Sequence, residues 1–275
     1  MNEQDFGIEL VYQSLLKHLK DCLHIKKLKV YESLSSTNDE AMRLFYEGEE
    51  SGTIVVALEQ HMGRGRLSRS WMMHRGDVAC SLLLRKEHLP PSHISLLPLV
   101  IALAVHDALA ELGINTMLKW PNDIVCEGNE NKNLGYFLHY KKLGGILVES
   151  AFSKTTISGA IIGIGINVVS NAKLAQEVPY AAYSQQLAPN IGMLAIIEKL
   201  IEKLALEIDS FKGSFFADVI TRYEQVSATI GQQVKVLQGE EEIKGKALGL
   251  NEEGALLVFD GKKTHAIYAG DVIAI

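Results

Sequence analysis

The chain has 275 residues, 47% hydrophobic and 22% charged, with a formal net charge of −6 from 27 basic and 33 acidic side chains. That balance excludes a disordered chain and a general polyanion binder, and it predicts a packed core sized for one large domain, or one domain plus a small one. Cys22, Cys80 and Cys126 share no CxxC spacing, which argues against a zinc site and a disulfide framework. With no signal pattern at the N-terminus and no uninterrupted apolar run long enough to span a bilayer, a soluble, cytoplasmic protein is expected.

Apolar residues at helical spacing over 7–22 predict a first helix, and a strand follows over 28–31. In SSTNDEAMRLFYEG, Ser36 or Thr37 can cap a helix, with Asp39 or Glu40 completing a capping box and Gly48 ending it. TIVVALEQ reads as a buried strand, GRGRLSRSW (63–71) as a loop and VACSLLLR as the next strand. Pro90, Pro91 and Ser92 open a long apolar helix that closes at Gly113. INTMLKW is a strand ended by a turn at Pro121, and CEGNENKNLG is an exposed hairpin tip. LGGILVESAF and ISGAIIGIGINVVS are two further strands, residues 171–190 are weakly patterned, and an amphipathic helix covers 193–215. Beyond Tyr223, short alternating runs between turn residues predict a small antiparallel β-barrel over 228–275.

Several stretches could carry chemistry, and each also has a plain structural explanation. The glycines and arginines of GRGRLSRSW after a strand suit an anion cradle, since backbone N–H groups can approach closely and guanidinium groups bind phosphate or carboxylate bidentately. The same stretch could be a nucleic-acid patch or a solvated turn. It lacks the GK[ST] of a Walker loop. KWPND could present Lys119, Asn122 and Asp123 to phosphate and Mg²⁺, or be an ordinary turn. Lys142, before two glycines in KLGGILVE, could point into a cleft or guard a strand end. GIGIN lacks the third glycine of a dinucleotide fingerprint and no helix follows it, so its glycines mean close approach by a ligand or by another backbone. RGD at 75–77 carries no weight, and the histidines show no metal-ligand spacing.

The order of these motifs says more than any one of them. STN, Gln60 with GRGRxxRxW, KWPND, KLGGILVE, GIGIN, and then a small β module with GKALGLNEEGALLV resemble the biotin–protein ligases, the biotin–acetyl-CoA-carboxylase ligase family, from residue 28 onward. The resemblance implies an α+β fold with a mixed β-sheet flanked by helices, related to lipoate ligases, and a C-terminal SH3-like barrel. The catalytic domain would cover 1–227, with a helical extension at 1–27, and the small domain 228–275. The implied reaction makes biotinyl-5′-AMP from biotin and Mg-ATP, then transfers biotin to a lysine of a biotin carboxyl carrier domain. By similarity, biotin is held by Ser36, Thr37, Asn38 and Gln60, with backbone from Gly63, Arg64 and Gly145. Lys142, Arg66 and Arg69 are the implied catalytic cations. Arg66, Arg69, Trp71, Lys119, Asn122 and Asn167 serve the nucleotide, Asp123 meets Mg²⁺, and no tightly bound metal is expected.

Three features depart from the family pattern: Ser68 stands where many relatives have glycine, MMHRG replaces SPxG after Trp71, and the hairpin between Asp123 and Lys142 is longer. Residues 1–27 are too few for the DNA-binding domain of bifunctional relatives, so a monofunctional ligase with no nucleic-acid or membrane partner is expected, with a homodimer through an exposed sheet edge left open. The alternatives are a lipoate–protein ligase and a non-catalytic sensor of biotinyl-AMP.

Overall fold

The computed structural model describes residues 7–19, 25–89, 94–128, 140–169, 181–212, 216–239 and 241–274. Its framework is a seven-stranded sheet. β1 (Lys27–Leu34) pairs in parallel with β2 (Thr53–Gln60) through the crossover helix α2 (Thr37–Tyr46). The remaining pairs are antiparallel: β2 with β5 (Val78–Arg85), then β9 (Thr156–Ile166), β8 (Tyr140–Ser153), β7 (Asp123–Glu127) and β6 (Met117–Lys119). The mixed sheet flanked by helices is thus the observed fold. The INTMLKW strand is shorter than expected, with only Met117–Lys119 in the ladder.

The two faces of the sheet do different work, and the period of two assigns the residues. Ile54, Val56, Leu58, Val78, Cys80, Leu82, Leu84, Ile162, Ile164 and Ile166 face the main core. There they meet α1 (Ile8–Leu19), α3 (Leu97–Glu111) and α5 (Met193–Lys212). The alternating positions Val55, Leu83 and Ile161 face α2, with Ala41, Leu44 and Phe45. By length and composition Ile94–Glu111 could cross a membrane, although its apolar run is interrupted by His106 and Asp107. In this fold it is the central core helix, buried between the sheet and α5, which is why it is apolar on nearly every side. Gly113 ends it at φ +76.

The amphipathic stretch expected over 193–215 ends as a helix at Lys212, and α6 (Phe216–Gln225) follows. The short α4 (Ser184–Leu187) precedes α5 in the chain. Sequence reading passed over α6, although half of its ten residues are apolar. Its register is set by buried Val219 and Tyr223, and by Arg222 donating to Glu207 and Asp107. Cys22, the tip of the 123–142 hairpin and the first half of the 171–190 stretch lie outside the described residues.

The C-terminal unit corrects one expectation. β10 (Gln233–Gln238), β11 (Glu241–Leu250), β12 (Leu256–Phe259), β13 (Thr264–Ile267) and β14 (Asp271–Ala274) form a five-stranded antiparallel sheet in the order β13-β12-β11-β10-β14, not a closed barrel. A bulge between Ala247 and Gly249 bends β11, but the two edge strands are four residues each and share no ladder, so the sheet stays open. Its buried face, including Val234, Val236, Leu256 and Val258, is continuous with the main core. Trp120 Nε1 donates to Gly254 O at 3.1 Å, and Glu224 Oε1 accepts from Leu250 N at 2.7 Å. At the expected boundary, Leu118 N donates to Val226 O and Ala228 N to Leu118 O, both at 2.8 Å.

Candidate active site

A cavity of about 640 Å³ opens on the α2 side of the sheet. Its floor follows from strand register. Ala79 on β5 lies opposite Gly165 on β9, which lies opposite Gly145 on β8, which in turn faces Asp123 on β7. Three small residues in a row leave the sheet flat enough for a ring. The indole of Trp71 lies there: a Cβ on Gly165 would come within 2.6 Å of it, and one on Gly145 within 3.5 Å. GIGIN is thereby explained. Its glycines admit neighbouring side chains, Trp71 at Gly165 and Asn38 at Gly163, while the intervening isoleucines fill the core.

One wall is the N-terminus of α2. Ser36 is its N-cap, accepting weakly from Asp39 N at 3.4 Å. Gln60 Oε1 accepts from Thr37 N at 2.9 Å and from Thr37 Oγ1 at 3.3 Å. Ser81 Oγ lies 2.6 Å from Asn38 Oδ1 and 2.8 Å from Thr37 Oγ1, and Asn38 Nδ2 donates to Glu149 Oε2 at 2.6 Å. Arg64 closes the network by bonding Asp39 at 2.7 Å and Glu149 at 3.2 Å. Ser36, Thr37, Asn38 and Ser81 are the buried part of a polar rail with fixed amide orientations, and Asp39 and Arg64 form its exposed end.

The second wall is the arginine loop. β3 (Gly63–Arg64) pairs with β4 (Ser70–Trp71), and Gly65 N donates to Arg69 O at 2.7 Å. The turn between them places Leu67 at φ 54 and Ser68 at φ 58, so the family's glycine position is left-handed and Ser68 occupies it at a steric cost. Gly63 does not line the cavity. It sits behind the loop, where a Cβ would meet the Gln60 side chain and come within 2.5 Å of Trp71 O.

Cations gather at the far end. Lys142 Nζ is 2.6 Å from Asp123 Oδ1 and 5.5 Å from the Trp71 ring centre, and Lys119 Nζ is 3.8 Å from Asp123 Oδ2. Arg66 donates to Asn122 Oδ1 at 3.1 Å, while Asn122 Nδ2 donates to Ile146 O at 2.7 Å. Burial pushes the Arg66 pKa down, and the nearby Asp271 and Asp123 carboxylates oppose the shift. Arg69 pairs with Asp271, whose carboxyl is held below its usual range by that hydrogen bond. Asn167 Nδ2 donates to Lys142 O at 3.3 Å and Ala182 O at 3.2 Å, tying the start of β8 to the segment before α4.

The structure therefore brings every expected site residue except Gly63 to one cavity. It adds residues that sequence reading passed over. Glu149 stands in the KLGGILVE motif and, by alternation from Gly145, on the cavity face. Ser81 is a lone polar residue in an apolar strand. Asp77, dismissed with RGD, is 2% exposed and accepts from His74 N, Val168 N and Val169 N, pinning the end of the arginine loop to the end of β9. Gly270 and Asp271, from the C-terminal sheet, had no sequence signal at all. Among the described residues no group of three or more His, Cys, Asp or Glu could hold a metal. Asp123 and Asp271 are the carboxylates that line the cavity.

Residues 30–167 match the model of the biotin/lipoate A/B protein ligase family, and residues 229–274 match the biotin protein ligase C terminal domain. The chain is 32% identical over 247 residues to the bifunctional ligase/repressor BirA of Bacillus subtilis (strain 168), covering 88% of this chain and 72% of that one. It is 28% identical to the biotin–acetyl-CoA-carboxylase ligase of Paracoccus denitrificans over 246 residues, 86% of this chain and 96% of that one. Among solved structures, the biotin protein ligase from Aquifex aeolicus in complex with biotin and ATP superposes with a TM-score of 0.75 at 30% identity, covering 90% of this chain and 98% of that one. The chain belongs to the biotin/lipoate A/B protein ligase family.

Proposed function

We propose that the protein is a biotin–protein ligase that forms biotinyl-5′-AMP from biotin and Mg-ATP and transfers the biotinyl group to one lysine of a biotin carboxyl carrier domain. The observation that carries this reading is the cavity itself: a polar rail at one end, four cations at the other, and a floor of small residues between them. In the first step a biotin carboxylate oxygen bonds to the α-phosphorus and the bond to pyrophosphate breaks. Two anionic groups must meet, and Lys142, held by Asp123 and lying beside Gly145 at the cation end of the floor, offsets their repulsion as charge builds. Arg66, Arg69 and Lys119 receive the phosphates, and Trp71 gives the adenine side a flat surface. Asp123 would be the residue to hold Mg²⁺ brought in on ATP, which would offset phosphate charge there. In the second step the carrier lysine amine attacks the acyl carbon, the bond to AMP breaks, and the amine proton passes to solvent. Until then the arginine loop keeps water from the acyl-adenylate.

The polar rail, with its fixed hydrogen-bond partners, suits the ureido group of biotin. Lipoate has no such group, and the match at 229–274 also favours biotin. The buried, unpaired Cys80 and Cys126 fit a reducing cytoplasm. β6 is bridged by Ser227, which leaves β1 as the sheet edge for a homodimer. The net charge of −6 supplies no reason to add a nucleic-acid partner. Incubation with Mg-ATP, a carrier domain and either biotin or lipoate tests the reading. The carrier should gain the mass of a biotinyl group with biotin alone. A carrier of unchanged mass, with no AMP formed, would return the sensor alternative.

A further inference from the structure

The C-terminal sheet enters the cavity at one place, the start of β14. Arg69 forks onto the Asp271 carboxylate, NH1 to Oδ1 at 3.1 Å and NH2 to Oδ2. One residue earlier, Gly270 O lies 3.5 Å from both NH1 and NH2 of Arg66. Two consecutive backbone positions thus hold the two arginines at the nucleotide end of the loop. Their placement is built in. Asp271 pairs with Leu237 on β10, and Val272 beside it is buried. Gly270 has φ +158, and a Cβ there would lie 2.8 Å from Val236 Cγ1 and 2.9 Å from Leu237 O, so glycine is what lets β14 approach this closely.

Such a pair contributes little to stability. Arg69 is 61% exposed and Asp271 26%, and solvent screening leaves exposed ion pairs little net stabilisation. What a bidentate fork does supply is orientation, because it fixes the plane of the guanidinium. We propose that Asp271 is a positioning residue for adenylate formation: through Arg69, and with Gly270 O on Arg66, the C-terminal sheet aims the arginine loop at the nucleotide phosphates. This rests on the ligase reading above and adds to it a residue, Asp271, that acts from the second unit of the fold.

The test measures biotin-dependent ATP–pyrophosphate exchange by the full chain and by Asp271→Ala, Asp271→Asn, Asp271→Glu, Arg69→Ala and the Asp271→Ala/Arg69→Ala pair. The two neutral variants should raise KM for ATP about tenfold, leave KM for biotin within about twofold and barely move Tm. Asp271→Glu should recover most of the loss. In the Arg69→Ala background, Asp271→Ala should add less than about twofold, because Asp271 acts through Arg69. Multiplying effects in the double variant, a parallel rise in KM for biotin, or a lower KM for ATP on removing the carboxylate would each overturn the proposal, the last by marking Asp271 as a competitor of phosphate. If the wild type shows no exchange at all, the ligase reading fails instead. ATP affinity measured by calorimetry on the same variants then decides the role of Asp271 by the same pattern.

Discussion

Lys142 stands at the point where the reacting groups must meet, and its surroundings give it one task. It has Asp123 at 2.6 Å, the Trp71 ring at 5.5 Å and the glycine row beneath it. Lys142→Ala should abolish biotin-dependent pyrophosphate release, a loss on the order of 10²-fold or more for one electrostatic donor, while calorimetric biotin affinity stays near wild type. Near-normal pyrophosphate release would remove Lys142 from the chemistry. Arg66 has a different task. Its bonds to Asn122 and Gly270 O close the loop over the cavity, so Arg66→Gly should still make the adenylate and fail to keep it. The readout is biotinylation of a bystander protein such as albumin, with faster adenylate release; retention as long as wild type would assign closure to other residues. At this scale the sequence was most legible. The motif residues converge, and Ser68, singled out as a misfit, has the positive φ that makes it one. Asn167 was legible as a site residue, but its bonds to Lys142 O and Ala182 O depend on a chain fold that no local pattern encodes.

At the scale of elements, alternation explains most of the architecture. Ala79, Ser81 and Leu83 take one face of β5, and Val78, Cys80, Leu82 and Leu84 the other; β9 divides in the same way. A hydrophobic run by itself does not say which face is which, so the glycines of GIGIN left two explanations standing. The fold shows a third: the side chains of Trp71 at Gly165 and Asn38 at Gly163 are what approach them. The β1–β2 end of the sheet carries an electrostatic clasp. Glu49 lies 2.7 Å from Lys27 and 2.9 Å from Lys29, and hydrogen bonds from these lysines pull its carboxyl down to about 2. A carboxylate whose folded pKa lies below its unfolded value stabilises the fold fully above the ordinary glutamate pKa of about 4.3, and that contribution is lost as pH falls toward the folded value. Glu49→Gln should therefore lower Tm at pH 7, and the gap to wild type should narrow between about pH 4 and pH 2. A gap that stays constant through that window would show that the clasp acts through packing and not charge.

At the scale of the whole molecule, the small sheet shares the main core and lines the candidate site. Trp120 is the hinge pin: its ring is buried and its Nε1 donates to Gly254 O across the junction. Trp120→Phe keeps most of the apolar volume and leaves that carbonyl unpaired, so it should cost about 1–3 kcal/mol in urea unfolding, with one transition retained. Two separated transitions would mean that the units are held together by that bond rather than by their common core. By themselves the motifs determined the reaction class and named residues that the fold brings to one cavity, because phosphate and carboxylate chemistry needs cations, glycines and caps in short contiguous runs at strand and helix ends. Only the tertiary structure decided that the C-terminal sheet stays open, that Glu149 and Ser81 orient the polar rail, and that Asp271 takes hold of Arg69 from 202 residues away. Those outcomes are partner choices between distant elements. They are set by strand register and by which faces pack together, and neither leaves a mark in the local pattern of the chain.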